Sequence, residues 1–314
     1  MSKKIAVIGA GLIGRSWAMV FGRAGHKVAL YDAFPEAMDA SERLLDASLK
    51  DLEANGLIGS AREVRANISR ADTLEQALDG AEWVQENALE QVDVKRDLFA
   101  RMDALAGPGT IIASSTSAIP CHEITDGIKG AHRMLVAHPA NPPYLLPIVE
   151  LSRADATSAE TVQRSRDFLE AVGMAVITIN KQVKGFVLNR LQVALLTEAF
   201  KLIEDGVVSG ADLDKTLKHG LGLRWSFMGP METIDLNAPG GIRDYLERFG
   251  PSFEEISIEQ SKTRPWTSER YARLEQDRRT VMAADQLPAR TAWRDRRLMA
   301  LMRHKKQAAE EIGD

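Results

Sequence analysis

Ile5-Ala6-Val7-Ile8-Gly9-Ala10-Gly11-Leu12-Ile13-Gly14 passes from a short apolar run straight into glycines at G-x-G-x-x-G spacing. Ile5 to Ile8 reads as a buried strand, and a helical pattern runs from near Ile13 to about Arg23. A second strand, Lys27 to Tyr31, ends in Asp32. Each part suits a dinucleotide. Gly9 allows a tight turn, Gly11 lets the backbone approach a pyrophosphate, and Gly14 lets the helix sit close on the strand. The free N–H groups at the helix start, around Leu12 and Ile13, then face the phosphates. Asp32 can accept hydrogen bonds from both hydroxyls of an adenosine ribose. Ala33-Phe34-Pro35 follows it, with no Arg or Lys to receive a 2′-phosphate. An anionic Asp repels that phosphate, so the expected cofactor is NAD and not NADP. The strand before, the helix after and the acid at the right distance separate this stretch from an ordinary glycine turn.

A chain of 314 residues suggests about two domains and a sizeable core. Its 45% hydrophobic and 27% charged content is ordinary for a globular protein. A net charge of −4 argues against a nucleic-acid surface. The single cysteine, Cys121, excludes an intrachain disulfide and fits a reducing compartment. It reads as a small core or loop residue. Lys3-Lys4 before an apolar run imitates a signal peptide, but that run is the first strand, broken by glycines and Arg15. No apolar run approaches the roughly 20 residues of a membrane span. The expected location is cytoplasmic.

Strand and helix signals alternate through the first 180 residues. Strands are expected at 5–8, 27–31, 66–69, 83–86, 110–113, 134–137, 146–151 and 175–179, with helices such as Val92 to Met102 between most of them. Thr157 and Glu160 have the spacing of a capping box for a helix ending near Val172, closed by Gly173. This alternation predicts an α/β, Rossmann-type doubly wound sheet. Residues 36–66 break the rhythm and read as a helical hairpin around Asn55-Gly56. After about Lys184 the strand signals stop. Gly185 to Asp205 reads as one apolar helix closed by Gly206. Ser209 and Asp212 cap another that ends at Gly220. Residues 1–184 are thus expected to form a dinucleotide-binding domain and 185–314 an all-helical one. The basic stretch Arg290 to Lys306 carries Trp293, Leu298, Leu301 and Met302 on or near one face, as a packing or subunit-interface helix would.

Four polar residues stand where a substrate cleft is expected. His138 ends the apolar run Met134-Leu135-Val136-Ala137, and its ordinary pKa suits proton transfer near neutrality. A histidine that merely caps a strand is the plain alternative. Glu150, within Ile148-Val149-Glu150-Leu151, is costly to bury unless paired. A neighbouring His would supply the pair; an edge carboxylate facing water is the alternative. Ser117 follows the strand at 110–113 and could bond a reacting oxygen or simply serve a turn. Asn189, one turn into the apolar helix, needs a partner that substrate, cofactor or backbone could provide.

The glycine fingerprint, Ser117, His138-Pro139-Ala140-Asn141-Pro142, Glu150 and Gly185-Phe186-Val187-Leu188-Asn189-Arg190, in that order, resemble the L-3-hydroxyacyl-CoA dehydrogenase superfamily. The likeness covers nearly the whole chain. It is greatest to the L-gulonate 3-dehydrogenase (lambda-crystallin) branch, through Gly14-Arg15-Ser16-Trp17-Ala18-Met19, Asn141-Pro142-Pro143-Tyr144, Gly220-Leu221-Gly222-Leu223-Arg224-Trp225 and Met228-Gly229-Pro230-Met231-Glu232-Thr233. The resemblance implies that His138 is the acid/base and that Glu150 orients it. It implies that Ser117 and Asn189 bond the substrate oxygen. It implies that Glu90, Lys95 and Asn141 contact the cofactor, and that the chain forms a homodimer through its helical domain.

Departures point to a free acid. Acyl-CoA members usually carry Asn-Thr-Ser where this chain has Ser115-Thr116-Ser117, and they lack an arginine at the position of Arg224. The hairpin at 36–66 holds Arg43, Lys50, Arg62 and Arg65 against seven acids, net −3, a poor surface for a triphosphorylated carrier. The expected activity is NAD-dependent oxidation of the 3-hydroxyl of a small free acid such as L-gulonate, with Arg224 on the substrate carboxylate. A salt bridge to Glu232 or Asp235 is the plain alternative for Arg224. An L-3-hydroxyacyl-CoA substrate, a carnitine-type hydroxy acid and a structural NAD-binding role are the alternatives for the protein.

Overall fold

The computed structural model describes residues 2–313. Two compact units divide it. The first comprises residues up to Arg190 together with Asp295–Arg303; the second comprises Leu191–Arg294 and the chain from His304 onward.

The first unit is built on eight strands, all at or near the expected positions: β1 (Lys4–Ile8), β2 (Lys27–Tyr31), β3 (Ile68–Arg70), β4 (Trp83–Glu86), β5 (Ile111–Ser114), β6 (Met134–Pro139), β7 (Ile148–Ser152) and β8 (Ala175–Ile179). Their spatial order is β3-β2-β1-β4-β5-β6-β7-β8. The chain runs outward from β1 to β3, then returns to β4 on β1's other side. That reversal is the switch point where doubly wound sheets bind ligands. Helix α1 (Leu12–Arg23) buries Trp17, Ala18, Val20 and Phe21 against one face of the sheet. The opposite face holds a second core with Phe99, Met102 and Ile124.

The hairpin after β2 is present as α2 (Pro35–Ala54) and α3 (Ala61–Ala66). Met38, Leu45, Leu49 and Leu52 face inward at helical spacing. Arg65 is spent inside the hairpin, on Glu42 and Asp46 at 2.9 Å each.

β6 and β7 are antiparallel, whereas every other pair is parallel. The link of residues 140–147 is too short for a crossover helix, so the chain can only turn back. Antiparallel pairing places directly opposed side chains on one face. Here it opposes His138 to Glu150.

Three expected boundaries are corrected. Ser158, not Thr157, caps the helix Ala159–Ala171, accepting from Thr161 N at 3.1 Å. The Thr157 hydroxyl instead donates to Met134 O at 2.7 Å. The apolar helix begins at Leu188, because Gly185 and Phe186 have φ of 77° and 54°, outside the right-handed helical region. Asn189 is therefore in its first turn. Gly220 does not end a helix: the chain continues through a π-turn at Leu217–Leu221 into Gly222–Arg224. A Cβ on Gly222 would stand 2.8 Å from Leu217 O, so the wide turn depends on that glycine.

The second unit is helical, with Leu188–Glu204 continuing into it and Gly210–Thr216, Gly241–Gln260 and Ser268–Val281 as its larger pieces. The last helix, Leu287–Ile312, contributes Met299 to the first unit's core, where it is fully buried.

Candidate active site

The glycine turn has the geometry its sequence implies. Gly9 has φ 93°, and a Cβ there would lie 2.7 Å from Asn87 O. At Gly14 a Cβ would meet Gly9 O at 1.7 Å, so only glycine permits the helix to approach. Gly11 differs: an added Cβ meets nothing within 4 Å. No side chain caps α1. Open space beside a glycine, next to uncapped amides, fits a pyrophosphate. Asp32 ties the turn to β2, accepting from Ala10 N at 2.7 Å and from Phe34 N at 3.0 Å. A carboxylate has about four acceptor sites, so ribose hydroxyls can still be bound.

His138 is 5% exposed and its Nδ1 lies 2.8 Å from Glu150 Oε2. Glu150 Oε1 accepts from both Val187 N and Leu188 N at 2.9 Å. Burial pushes the Glu150 carboxyl upward, but the bonds from His138 and the two amides outweigh it and hold the pKa below the ordinary carboxylate value. The carboxylate is thus anionic at neutral pH. It favours the tautomer with the proton on Nδ1, which leaves Nε2 as the proton acceptor.

Phe186 was not foreseen. It is the one non-glycine residue with positive φ among the described residues, is 1% exposed, and tilts its ring against His138 at 5.2 Å. Its turn aims the next two amides at Glu150. The string Gly185-Phe186 is visible in the sequence, but nothing about a phenylalanine announces a left-handed backbone.

Ser117 and Asn189 are brought together: Asn189 Nδ2 donates to Ser117 O at 2.8 Å. Ser117 N donates to Glu90 Oε1 at 2.8 Å, and Thr116 Oγ1 donates to the same oxygen at 2.6 Å. The Ser117 hydroxyl has no protein partner among the described residues. Asn189 keeps one amide hydrogen beyond the one given to Ser117.

Lys95, which the resemblance implies contacts the cofactor, lies inside the protein. It is 1% exposed, and its ammonium sits 2.9 Å from Glu86 Oε1 and 3.2 Å from Ala88 O. The ammonium ties the loop after β4 to Glu86, and Glu90 Oε2 lies 3.5 Å from it. Ser114 Oγ completes the arrangement by donating to Glu86 Oε2 at 2.6 Å. Asn141 is exposed, in the link after β6.

In the second unit, Arg224 is half-buried, with Asn237 Oδ1 at 3.4 Å from Nη1. Neither Glu232 nor Asp235 forms an ion pair with it among the described residues; Asp235 instead accepts from Ile242 N at 2.7 Å. Cys121 is buried, which pushes its thiol up to about 11, so it is an inert core residue.

Residues 4–183 match the family described as 3-hydroxyacyl-CoA dehydrogenase, NAD binding domain, and residues 185–274 match its C-terminal domain. The chain is 38% identical over 308 residues to a lambda-crystallin homolog of Bos taurus, covering 96% of each. It is 41% identical over 266 residues to an L-carnitine dehydrogenase of Streptomyces coelicolor, covering 84% of this chain and 80% of that protein. Among solved structures, 5-formyl-3-hydroxy-2-methylpyridine 4-carboxylic acid 5-dehydrogenase, an NAD+-dependent dismutase, superposes with a TM-score of 0.82 at 29% identity, covering 96% and 98% of the two chains. With both family domains in order and a nucleotide turn built to match, the chain belongs to the 3-hydroxyacyl-CoA dehydrogenase family and is an NAD-dependent dehydrogenase.

Proposed function

We propose that the enzyme oxidises the 3-hydroxyl of a small free hydroxy acid, L-gulonate or a hydroxy acid of the carnitine type. The observation that carries the chemistry is the His138–Glu150 pair, made by the antiparallel register of β6 and β7. Bound NAD supplies the hydride acceptor. His138 Nε2 takes the proton of the substrate hydroxyl as the C3 hydride departs, and returns it in ketone reduction. Glu150 holds the imidazole and balances the charge it gains. The Ser117 hydroxyl and the spare hydrogen of Asn189 bond the substrate oxygen. Gly9, Gly11, Leu12, Ile13, Gly14, Asp32, Glu90 and Asn141 bind the cofactor, and Lys95 acts through Glu86 and Glu90.

Arg224 carries the preference for a free acid. A guanidinium matches a carboxylate bidentately, and among the described residues no carboxylate forms an ion pair with it. A thioester would leave that charge without a counterion. The hairpin's acidic balance, with Arg65 internally paired, is a second support. The test is turnover with NAD on L-gulonate, L-carnitine, 3-hydroxybutyrate and 3-hydroxybutyryl-CoA. Preference for a free acid is the expected result; preference for the thioester would make the enzyme an acyl-CoA dehydrogenase.

The homodimer is assigned to the helical unit. Leu246, Phe249, Phe253 and Ile256 recur on one face of the helix Gly241–Gln260 and are each 43–49% exposed. No helix among the described residues is long and apolar enough to cross a membrane. The single buried thiol is in keeping with the cytoplasm.

A further inference from the structure

We propose that Ser115 is a positioning residue whose hydroxyl sets the spacing between the cofactor turn and the acid/base strand; this rests on the dehydrogenase reading above. A serine hydroxyl has one donor and two acceptor sites. All three are used. Ser115 Oγ donates to Asn87 Oδ1 at 2.7 Å and accepts from Trp17 Nε1 at 3.1 Å and from Gln85 Nε2 at 2.8 Å. The neighbouring amides are satisfied in turn. Gln85 Oε1 accepts from Trp83 Nε1 at 3.0 Å, and Gln85 Nε2 also reaches Ala137 O at 3.4 Å. Asn87 Nδ2 donates to Gln85 O at 2.8 Å and to Ile8 O at 3.2 Å. Flipping either amide would set donor against donor or oxygen against oxygen, so the network admits one orientation.

Its location gives it a function. Ser115 follows β5, Gln85 and Asn87 lie in and after β4, Ala137 lies in β6, and Ile8 ends β1. These are the carboxyl ends of the strands that flank the switch point. On one side the network touches the dinucleotide turn, because a Cβ on Gly9 would stand 2.7 Å from Asn87 O. On the other it holds the carbonyl immediately before His138. Two residues along the chain from Ser115 is Ser117. One hydroxyl therefore joins the segments that place the hydride acceptor, the proton acceptor and the substrate oxygen.

Loss of that hydroxyl strands an indole N–H, an amide N–H and an amide oxygen in a part-buried setting. The groups regain partners only by turning Gln85 and Asn87, which shifts both sides of the site. Ser115→Ala is expected to weaken NADH binding, measured by titration, by about tenfold and to lower kcat on the best substrate by about tenfold. It is also expected to change the primary deuterium isotope effect, because the transfer distance is altered. The pH profile of kcat/KM stays where it is, since His138 and Glu150 are untouched. Ser115→Cys, which keeps a side chain there but bonds weakly, should behave like the alanine variant and covers the case in which that variant does not fold. Ser115→Thr keeps the hydroxyl and should restore NADH binding and the isotope effect. Ser41→Ala removes a buried hydroxyl that has no hydrogen-bond partner among the described residues, and should change none of these readings. If Ser115→Ala and Ser115→Cys bind NADH and turn over like the wild type, with only a lower melting temperature, the hydroxyl is structural and the proposal is refuted. A wild type that does not bind NADH overturns the dehydrogenase reading itself, and this proposal with it.

Discussion

Glu150→Gln changes one atom type at the centre of the proposed acid/base pair, and its consequence can be worked out from three hydrogen bonds. Glu150 Oε1 accepts from Val187 N and Leu188 N at 2.9 Å, and Oε2 faces His138 Nδ1 at 2.8 Å. A glutamine keeps the shape but has one oxygen and one NH₂. The two backbone N–H groups claim the oxygen, because the NH₂ would oppose two donors. The NH₂ then faces His138 Nδ1 and donates to it. The imidazole proton moves to Nε2, and the nitrogen meant to accept the substrate proton already carries one. The expected loss is about 10²–10⁴ in kcat, the size found when a catalytic histidine is held in the wrong tautomer. Folding stability falls by about 1–3 kcal/mol, since charge-assisted bonds become neutral ones.

Steady-state rates, NADH titration and thermal melting on the same preparations separate these effects. NADH affinity should stay within about twofold, because no part of the pair belongs to the glycine turn. The stability profile adds an independent reading. Glu150 has a lowered pKa in the folded state, so the folded protein binds its proton less tightly than the unfolded chain does. Its contribution is complete above the ordinary carboxylate value and is lost as the pH falls through the lowered one. Glu150→Gln should lose that contribution above the ordinary carboxylate value, so its stability lies below the wild type there, converges on it at acid pH, and shows a flatter acid limb with no change of slope on the alkaline side. A variant with full kcat, or one losing NADH affinity as steeply as kcat, would refute the assignment of Glu150 as the residue that orients His138.

The glycine turn should separate into two kinds of failure. Gly14→Ala puts a methyl 1.7 Å from Gly9 O and should destabilise the fold by about 3 kcal/mol or more in thermal melts, whereas Gly11→Ala, with open space around it, should fold normally and lose NADH affinity by at least about tenfold. Lys95→Met leaves Glu86 buried without its cation and should cost about 3–5 kcal/mol in denaturant unfolding; an unchanged midpoint would show that the lysine does not anchor the loop after β4. Arg224→Met should lower kcat/KM for the free hydroxy acid by about 10²-fold or more while turnover of its CoA thioester does not fall, and equal losses on both would remove the carboxylate role.

Much of the fold was legible because short-range geometry dictates it. Glycine spacing, strand length and caps are local, and β1, α1, β2 and the hairpin stand where the residues predict. His138 and Glu150 could be suspected as partners, since a buried acid and a strand-ending histidine each need one. Their facing register was not readable. It depends on β7 turning back along β6, a consequence of the short link. The burial of Lys95 was not readable for a related reason. A lysine reads as a surface group, and only the fold shows that Glu86 and Ala88 enclose its ammonium. Thr157 and Ser158 are equivalent as caps in sequence; Met134 O decides between them by claiming the threonine.

Phe186 marks the limit most clearly. A bulky residue with φ of 54° opposes its own preference, at a cost of about 1–3 kcal/mol. Propensity would therefore always place it elsewhere, and the sequence reading extended the helix through it. What holds it there is the site. Its ring is buried against His138, and the turn it makes releases Val187 N and Leu188 N from a helix to bond Glu150. Those two bonds help keep the carboxylate ionised in a buried place, and the ionised carboxylate in turn sets the histidine tautomer. The local conflict at Phe186 is thus the backbone counterpart of the acid/base pair. Replacing Phe186 with glycine would relieve the strain but remove the ring beside His138. Such a variant should lose turnover and also melt lower, because emptying a buried ring site costs about 3–5 kcal/mol against the strain relieved.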